Sequence, residues 1–144
     1  MVTKTAERLN SMSLQEIFDF VNESVIKQAK PSWRGELGDC AYRGPNGLKC
    51  AAGFLLDDED FNPDMEGKGA RDMCNMIGFR SGHDVNDLDY ADTITRKRDL
   101  IARLQGAHDG AARCSMDGEA KFVDSFTQKM EHVRGWLNSL PQSR

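Results

Sequence analysis

Phe122, Phe126, Met130, Val133, Trp136, Leu137 and Leu140 recur at helical spacing near the end of the chain. No other feature narrows the possible folds as much. A stripe of that length predicts an amphipathic helix from about Asp117 to Leu140, closed by Pro141, whose apolar face other helices must cover. A second helix is expected from about Leu14 to Lys30, with Leu14, Ile17, Phe18, Val21 and Val25 on its buried face. Ser13 and Glu16 have the spacing of a capping box at its start, and Pro31 stops it. Shorter helices are expected over the apolar run Ala51 to Leu56 and over Ala70 to Ile77, the latter burying Met73, Cys74 and Ile77. Another, from about Asp92 to His108, turns Ile94, Ile101, Leu104 and Ala107 inward, and Asp109-Gly110 is expected to end it. Arg96-Lys97-Arg98 reads as the wet face of that helix, and Arg80 to Tyr90 reads as loop.

Between the first two long elements lies Gly44-Pro45-Asn46-Gly47, which suits a type I turn followed by a glycine bulge. That turn predicts a hairpin in which Tyr42 faces Cys50 and Arg43 faces Lys49. Cys40, Tyr42, Leu48 and Cys50 then share the inner face, and Ala41, Arg43, Lys49 and Ala51 the outer one. The expected fold class is mostly α with a small β-hairpin packed on helices. The 144 residues suit a single domain, its first ten residues flexible.

Composition narrows the function classes. A hydrophobic share of 39% with 29% charged residues describes a soluble globular chain. No stretch approaches the ~18 apolar residues of a membrane span. Met1 to Asn10 lacks the apolar core of a secretory signal, so the cytoplasm is the expected location. There Cys40, Cys50, Cys74 and Cys114 are expected as free thiols. A net charge of −4 argues against direct nucleic-acid binding. Acid concentrates in Asp57-Asp58-Glu59-Asp60, with Asp64 and Glu66 after it and Asp84, Asp87, Asp89 and Asp92 further on. These read as solvated loops and helix starts, or as a patch that docks on a basic partner.

Few residues suggest catalysis. His108 shares the apolar stripe of its helix, and Asp109 follows it, though neighbours along a helix do not face each other. The simplest reading is a half-buried histidine bonded to a backbone carbonyl near the helix end. A sharper one brings His108 to Cys50 or Tyr42 to activate a thiolate. A third gathers Cys40, Cys50 and His108 around zinc, with Cys74 or Cys114, although no C-x-x-C is present. Tyr42 reads as recognition residue or as core with its hydroxyl at the rim, and Arg43 as recognition residue or solvent-facing strand residue. Trp33 beside Arg34 suits a partner contact or a lid on the core. Phosphate-loop, dinucleotide and H-E-x-x-H signatures are absent, and no cofactor is expected.

The segment C-x-Y-R-x-x-x-G-x-K-C-A-x-G-x-L, from Cys40 to Leu55, resembles one in a family of small proteins encoded by tailed bacteriophages and some bacterial genomes. The element Leu104-Gln105-Gly106-Ala107-His108-Asp109 is similar to that family's L-Q-x-x-H-D. The family brings no settled activity and no catalytic residues. The resemblance implies a phage protein made in bacterial cytoplasm and a host protein as partner. It also suggests that the two blocks meet in space. The expected function is therefore a noncatalytic accessory protein that binds and modulates or inhibits a host protein, with a counter-defence role. A small thiol- or zinc-dependent enzyme built on Cys40, Cys50, His108 and Asp109 is one alternative. An acidic nucleic-acid mimic is the other.

Overall fold

A computed structural model of the chain describes residues 3–34, 39–80, 93–114 and 119–140. The helices among them are α1 (Lys4–Ser11), α2 (Leu14–Gln28), α3 (Ala51–Leu55), α4 (Ala70–Met76), α5 (Thr93–Cys114) and α6 (Glu119–Ser139). Short 3-10 turns at Pro45–Gly47, Asp58–Asp60 and Pro63–Met65 link the middle of the chain. The long α5 is the axis: it lies along α6 and also packs on α2, α3 and α4.

The expected stripes are the core. In α6, Phe122, Phe126, Met130 and Val133 are buried, with Trp136 and Leu137 packed at the edge. In α2, Ile17, Phe18, Val21 and Val25 are buried. Its start is a complete capping box: Glu16 N–H donates to Ser13 Oγ at 3.0 Å, and Ser13 N–H donates to Glu16 Oε1 at 2.8 Å. Met73, Cys74 and Ile77 are buried, as the α4 pattern requires.

The hairpin is not formed, and the mostly-α-with-hairpin class is corrected to a helical fold. Among the described residues, the sole strand pairing is a two-residue ladder, Trp33–Arg34 against Asp39–Cys40. A bend is present, closed by Gly44 N–H donating to Leu48 C=O at 2.8 Å, but it is not the expected type I turn, because Asn46 is left-handed at φ 59, as is Gly47 at φ 77. What fails is the ladder beyond it, because side chains from elsewhere take its backbone groups. Tyr42 N–H and Arg43 N–H donate to the Glu66 carboxylate at 2.8 and 3.2 Å. Lys49 N–H donates to Gln28 Oε1 at 3.0 Å, and Cys50 is already the N-cap of α3. Both sulfurs nevertheless point to the interior, Cys40 being 7% and Cys50 0% exposed.

Three further expectations change. The segment expected to be flexible carries α1, capped by Thr3 and seated on the acidic run. Thr5 N–H and Oγ–H donate to Asp60 Oδ2 at 2.8 and 2.6 Å, and Lys4 and Arg8 pair with Glu59 and Asp57. A carboxylate there also complements the positive end of the helix. Second, α5 continues past Asp109-Gly110 to Cys114. Gly110 lies inside the helix and does not end it, with the flexible end of the Lys129 side chain on α6 beside it. Third, Arg96-Lys97-Arg98 is not a wet face. Lys97 Nζ donates to the Leu9 and Asn10 carbonyls at 2.8 and 3.2 Å, capping the C-terminal end of α1. Arg98 donates to the Phe79 carbonyl just past α4. The expected loop at Arg80 to Tyr90 lies, after Arg80, outside the described residues, as do Asp84, Asp87, Asp89, Asp92 and Pro141.

Candidate functional site

The two sequence blocks do meet. Ala52 N–H, at the first turn of α3, donates to Gln105 Oε1 on α5 at 2.8 Å. Ser32 N–H donates to His108 Nε2 at 3.1 Å, while Ser32 Oγ–H donates to the Ala41 carbonyl at 2.6 Å. His108 thus ties the end of α2 and the 40–50 segment to the axis helix.

His108 is fully buried, not half-buried, and its partner is a backbone N–H, not a carbonyl. Contrary to the expectation for neighbours on a helix, its Nδ1 lies 3.0 Å from Asp109 Oδ1. The same oxygen accepts from Gln105 Nε2 at 2.7 Å. With Ser32 donating to Nε2, that nitrogen must carry its lone pair, so the proton sits on Nδ1 and points to the carboxylate. Both ring nitrogens are engaged, and the ring edge rests on Phe122 at a centroid distance of 5.7 Å. His108 has no nitrogen left to deprotonate Cys50 or Tyr42.

The remaining candidates sit around this network. Tyr42 is fully buried, not rimmed by solvent, and its hydroxyl donates to the Lys68 carbonyl at 2.8 Å. Burial pushes its phenol well above the ordinary range, so it is a neutral donor. Arg43 is a staple rather than a solvent-facing strand residue. Its Nη1 donates to the Tyr42 and Gly53 carbonyls, each at 2.9 Å, and its Nη2 to the Leu56 carbonyl at 2.6 Å. Gly53 allows this approach, since a Cβ there would lie 2.7 Å from the Tyr42 carbonyl oxygen. Asp58 closes the outer side at 2.9 Å, and Phe61 lies under the guanidinium at 5.3 Å. Of the acidic run, Asp57, Glu59 and Asp60 hold α1 and Asp58 holds Arg43, so the run is an internal docking strip with its outer carboxylates in water. Trp33 packs at the core edge with Arg113 over its ring at 5.6 Å. The side chains of Arg34 and Cys114 lie outside what is described.

The thiols behave as core atoms. Burial, helped by a hydrogen bond to the Cys40 thiol, holds Cys50 well above the usual thiol range. Burial pushes Cys74 up to about 11, against a smaller opposite pull from Arg98 and Arg71. Cys74 therefore keeps its proton in the fold at a pH where the unfolded chain, near 9.0, releases it. That difference contributes roughly 2–3 kcal/mol of stability, complete below pH 9 and lost as pH rises towards 11. Lys97, whose pKa burial lowers, acts in the opposite direction. Urea unfolding of the wild type and of Cys74→Ala from pH 8 to 11 separates the two effects. The wild type should lose stability more steeply above pH 9, and parallel curves would remove Cys74 from this role.

Among the described residues, no three His, Cys, Asp or Glu side chains are placed to share a metal ion. The zinc grouping of Cys40, Cys50 and His108 is thus not assembled. In the sequence Glu66 and Asp60 read only as solvated acids or part of a docking patch, and nothing there gives Gln28 or Ser32 the bonding roles they have in the fold. Gln105 alone had a local signal, its i,i+4 spacing to Asp109.

Two depressions among the described residues lie near these groups. A cavity of about 130 Å³ is lined by Cys40, Gly67, Lys68, Gly69, Gln105 and Asp109. A shallower groove of about 570 Å³ is lined by Asp64, Lys68, Asp72, Asn75 and Met76. Comparison of the chain with protein-family models, curated proteins and solved structures finds no match. Among the described residues, no helix is long and apolar enough to cross a membrane.

Proposed function

We propose that this chain is a noncatalytic binding protein, made by a bacteriophage in its bacterial host, that docks on a host protein and modulates or inhibits it. One observation carries the reading: the residues best suited to chemistry are consumed by the fold. His108 has both nitrogens bonded to groups of its own chain, and Tyr42 and Arg43 spend their donors on backbone carbonyls. A thiolate enzyme needs a base free to reach sulfur, and His108 is not free.

The exterior offers the groove instead. Met76 is 40% exposed in it, and Asp64 and Asp72 supply acid at its rim. This combination suits a partner segment carrying an apolar anchor beside basic residues. An acidic mimic of nucleic acid is less well supported, because Lys4, Arg8, Arg43 and Lys49 offset the run at 57–60.

The test is affinity capture from bacterial lysate with the wild type and with a variant carrying Asp64→Lys, Asp72→Lys and Met76→Ser. A host protein retained by the wild type and lost by the variant supports the groove. Equal retention by both moves the site elsewhere on the surface. Failure to retain any partner across several hosts, with a turnover activity in the same preparation, overturns the reading.

A further inference from the structure

Most of the described sulfur in this chain is shut away. Cys40, Cys50 and Cys74 are buried, and so are Met65, Met73 and Met130. Met12 is partly buried against the core. Met76 differs: it is 40% exposed and lines the groove with Asp64, Lys68, Asp72 and Asn75. Among the described residues it is the one exposed side chain that carries sulfur.

We propose that Met76 is a reversible oxidation site, at which peroxide turns the groove's apolar side chain polar while the fold stays intact. The Met76 sulfur attacks one oxygen of hydrogen peroxide. The S–O bond forms, the O–O bond breaks, and the departing hydroxide takes the proton of the transferred hydroxyl and leaves as water. The thioether is oxidised by two electrons to a sulfoxide, and the peroxide is reduced. A thiol-dependent methionine sulfoxide reductase runs the return: two thiols become a disulfide, and the oxygen leaves as water. A thioether has no proton to lose, so the forward step needs no general base and is open to a chain whose His108 is fully engaged.

Placement decides both the selectivity and the effect. Oxidation follows access to sulfur, and Met73, three residues earlier in α4, is fully buried. A sulfoxide at Met73 would force a polar oxygen into the core, whereas at Met76 that oxygen stands in water. The end of α4 is held from α5, where Arg98 donates to Asn75 Oδ1 and to the Phe79 carbonyl at 2.8 and 2.9 Å. The change is therefore confined to the groove. There a flexible apolar side chain becomes a polar one, between walls that already carry the Asp64 and Asp72 carboxylates. The effect on a partner rests on the groove reading above; the oxidation itself does not.

The full chain is treated with hydrogen peroxide, natively and in urea, and each methionine is mapped by mass spectrometry. Natively, Met76 should oxidise about tenfold or more faster than Met65, Met73 and Met130, and the difference should vanish in urea. The chain oxidised at Met76 should keep its circular dichroism and urea midpoint, and methionine sulfoxide reductases A and B together should restore the unmodified mass. Oxidation of Met76 no faster than that of the buried methionines, or a fold that melts with its first oxygen, overturns the proposal. Binding is read separately, on the host protein that the reduced chain retains. Oxidation should weaken it about tenfold and repair should restore it, while Met76→Leu should abolish the sensitivity to peroxide whatever its own affinity. Unchanged affinity after oxidation overturns the effect on the groove. A reduced chain that retains no host protein fails the groove reading instead, and the methionine map still decides the oxidation site.

Discussion

Replacing Arg43 by alanine is expected to cost about 3–5 kcal/mol of unfolding free energy, read from the urea midpoint. The loss comes from what the guanidinium leaves behind. The Tyr42, Gly53 and Leu56 carbonyls lose this donor together, and the last two lie at the C-terminal end of a helix of five residues, where Gly53 keeps only the Leu56 N–H. Arg43→Lys should recover less than half, since a single ammonium cannot reach three carbonyls that a planar fork spans. Asp58→Ala should cost less than about 1 kcal/mol, because that carboxylate is 82% exposed. The contrast between Asp58 and Arg43 decides whether the ion pair or the carbonyl staple matters. A cost for Arg43→Ala no larger than that for Asp58→Ala would mean the staple contributes little.

His108→Ala is expected to be the most damaging single change, at about 4 kcal/mol or more. It removes an aromatic ring packed on Phe122 and leaves the buried Ser32 N–H without an acceptor. Against a typical total of about 5–15 kcal/mol, this brings the protein close to unfolding. His108→Phe separates the two parts. It keeps an aromatic ring, slightly larger than the imidazole, and orphans the hydrogen bonds, so about 1–3 kcal/mol should be lost. Chemical denaturation followed by circular dichroism measures both variants. If His108→Phe proved as stable as the wild type, the polar network would be ornamental and only the packing would count.

The parts of this fold legible in the sequence are those whose cause is local. The capping box at Ser13 and the stripes of α2 and α6 depend on residues within a few turns, and they are found where the spacing puts them. The inward thiols were expected from a hairpin register that does not form, and both are buried all the same, as free cysteines usually are. The hairpin failed because its decisive competitors, Gln28 and Glu66, lie 21 and 23–24 residues away in sequence. Turn chemistry at Pro45 predicted a bend but not its type, since Asn46 is left-handed, and could not predict which acceptors its flanks would find. Lys97 and Arg98 misled in the same way, their partners being helix ends supplied by α1 and α4. The helix α1 is too short to hold itself in water and takes its stability from the acidic strip. The candidate site was half legible. The meeting of the two blocks was expected, but the use of His108 as an acceptor for Ser32 was not, since a histidine in sequence does not disclose its tautomer.

That tautomer gives the sharpest test. Long-range ¹⁵N–¹H correlation on uniformly labelled protein distinguishes a protonated from an unprotonated ring nitrogen. For His108 the account predicts hydrogen on Nδ1 and a bare Nε2 that accepts from Ser32. Hydrogen on Nε2, or a ring averaging between the two forms, would contradict it and return His108 to the pool of free bases.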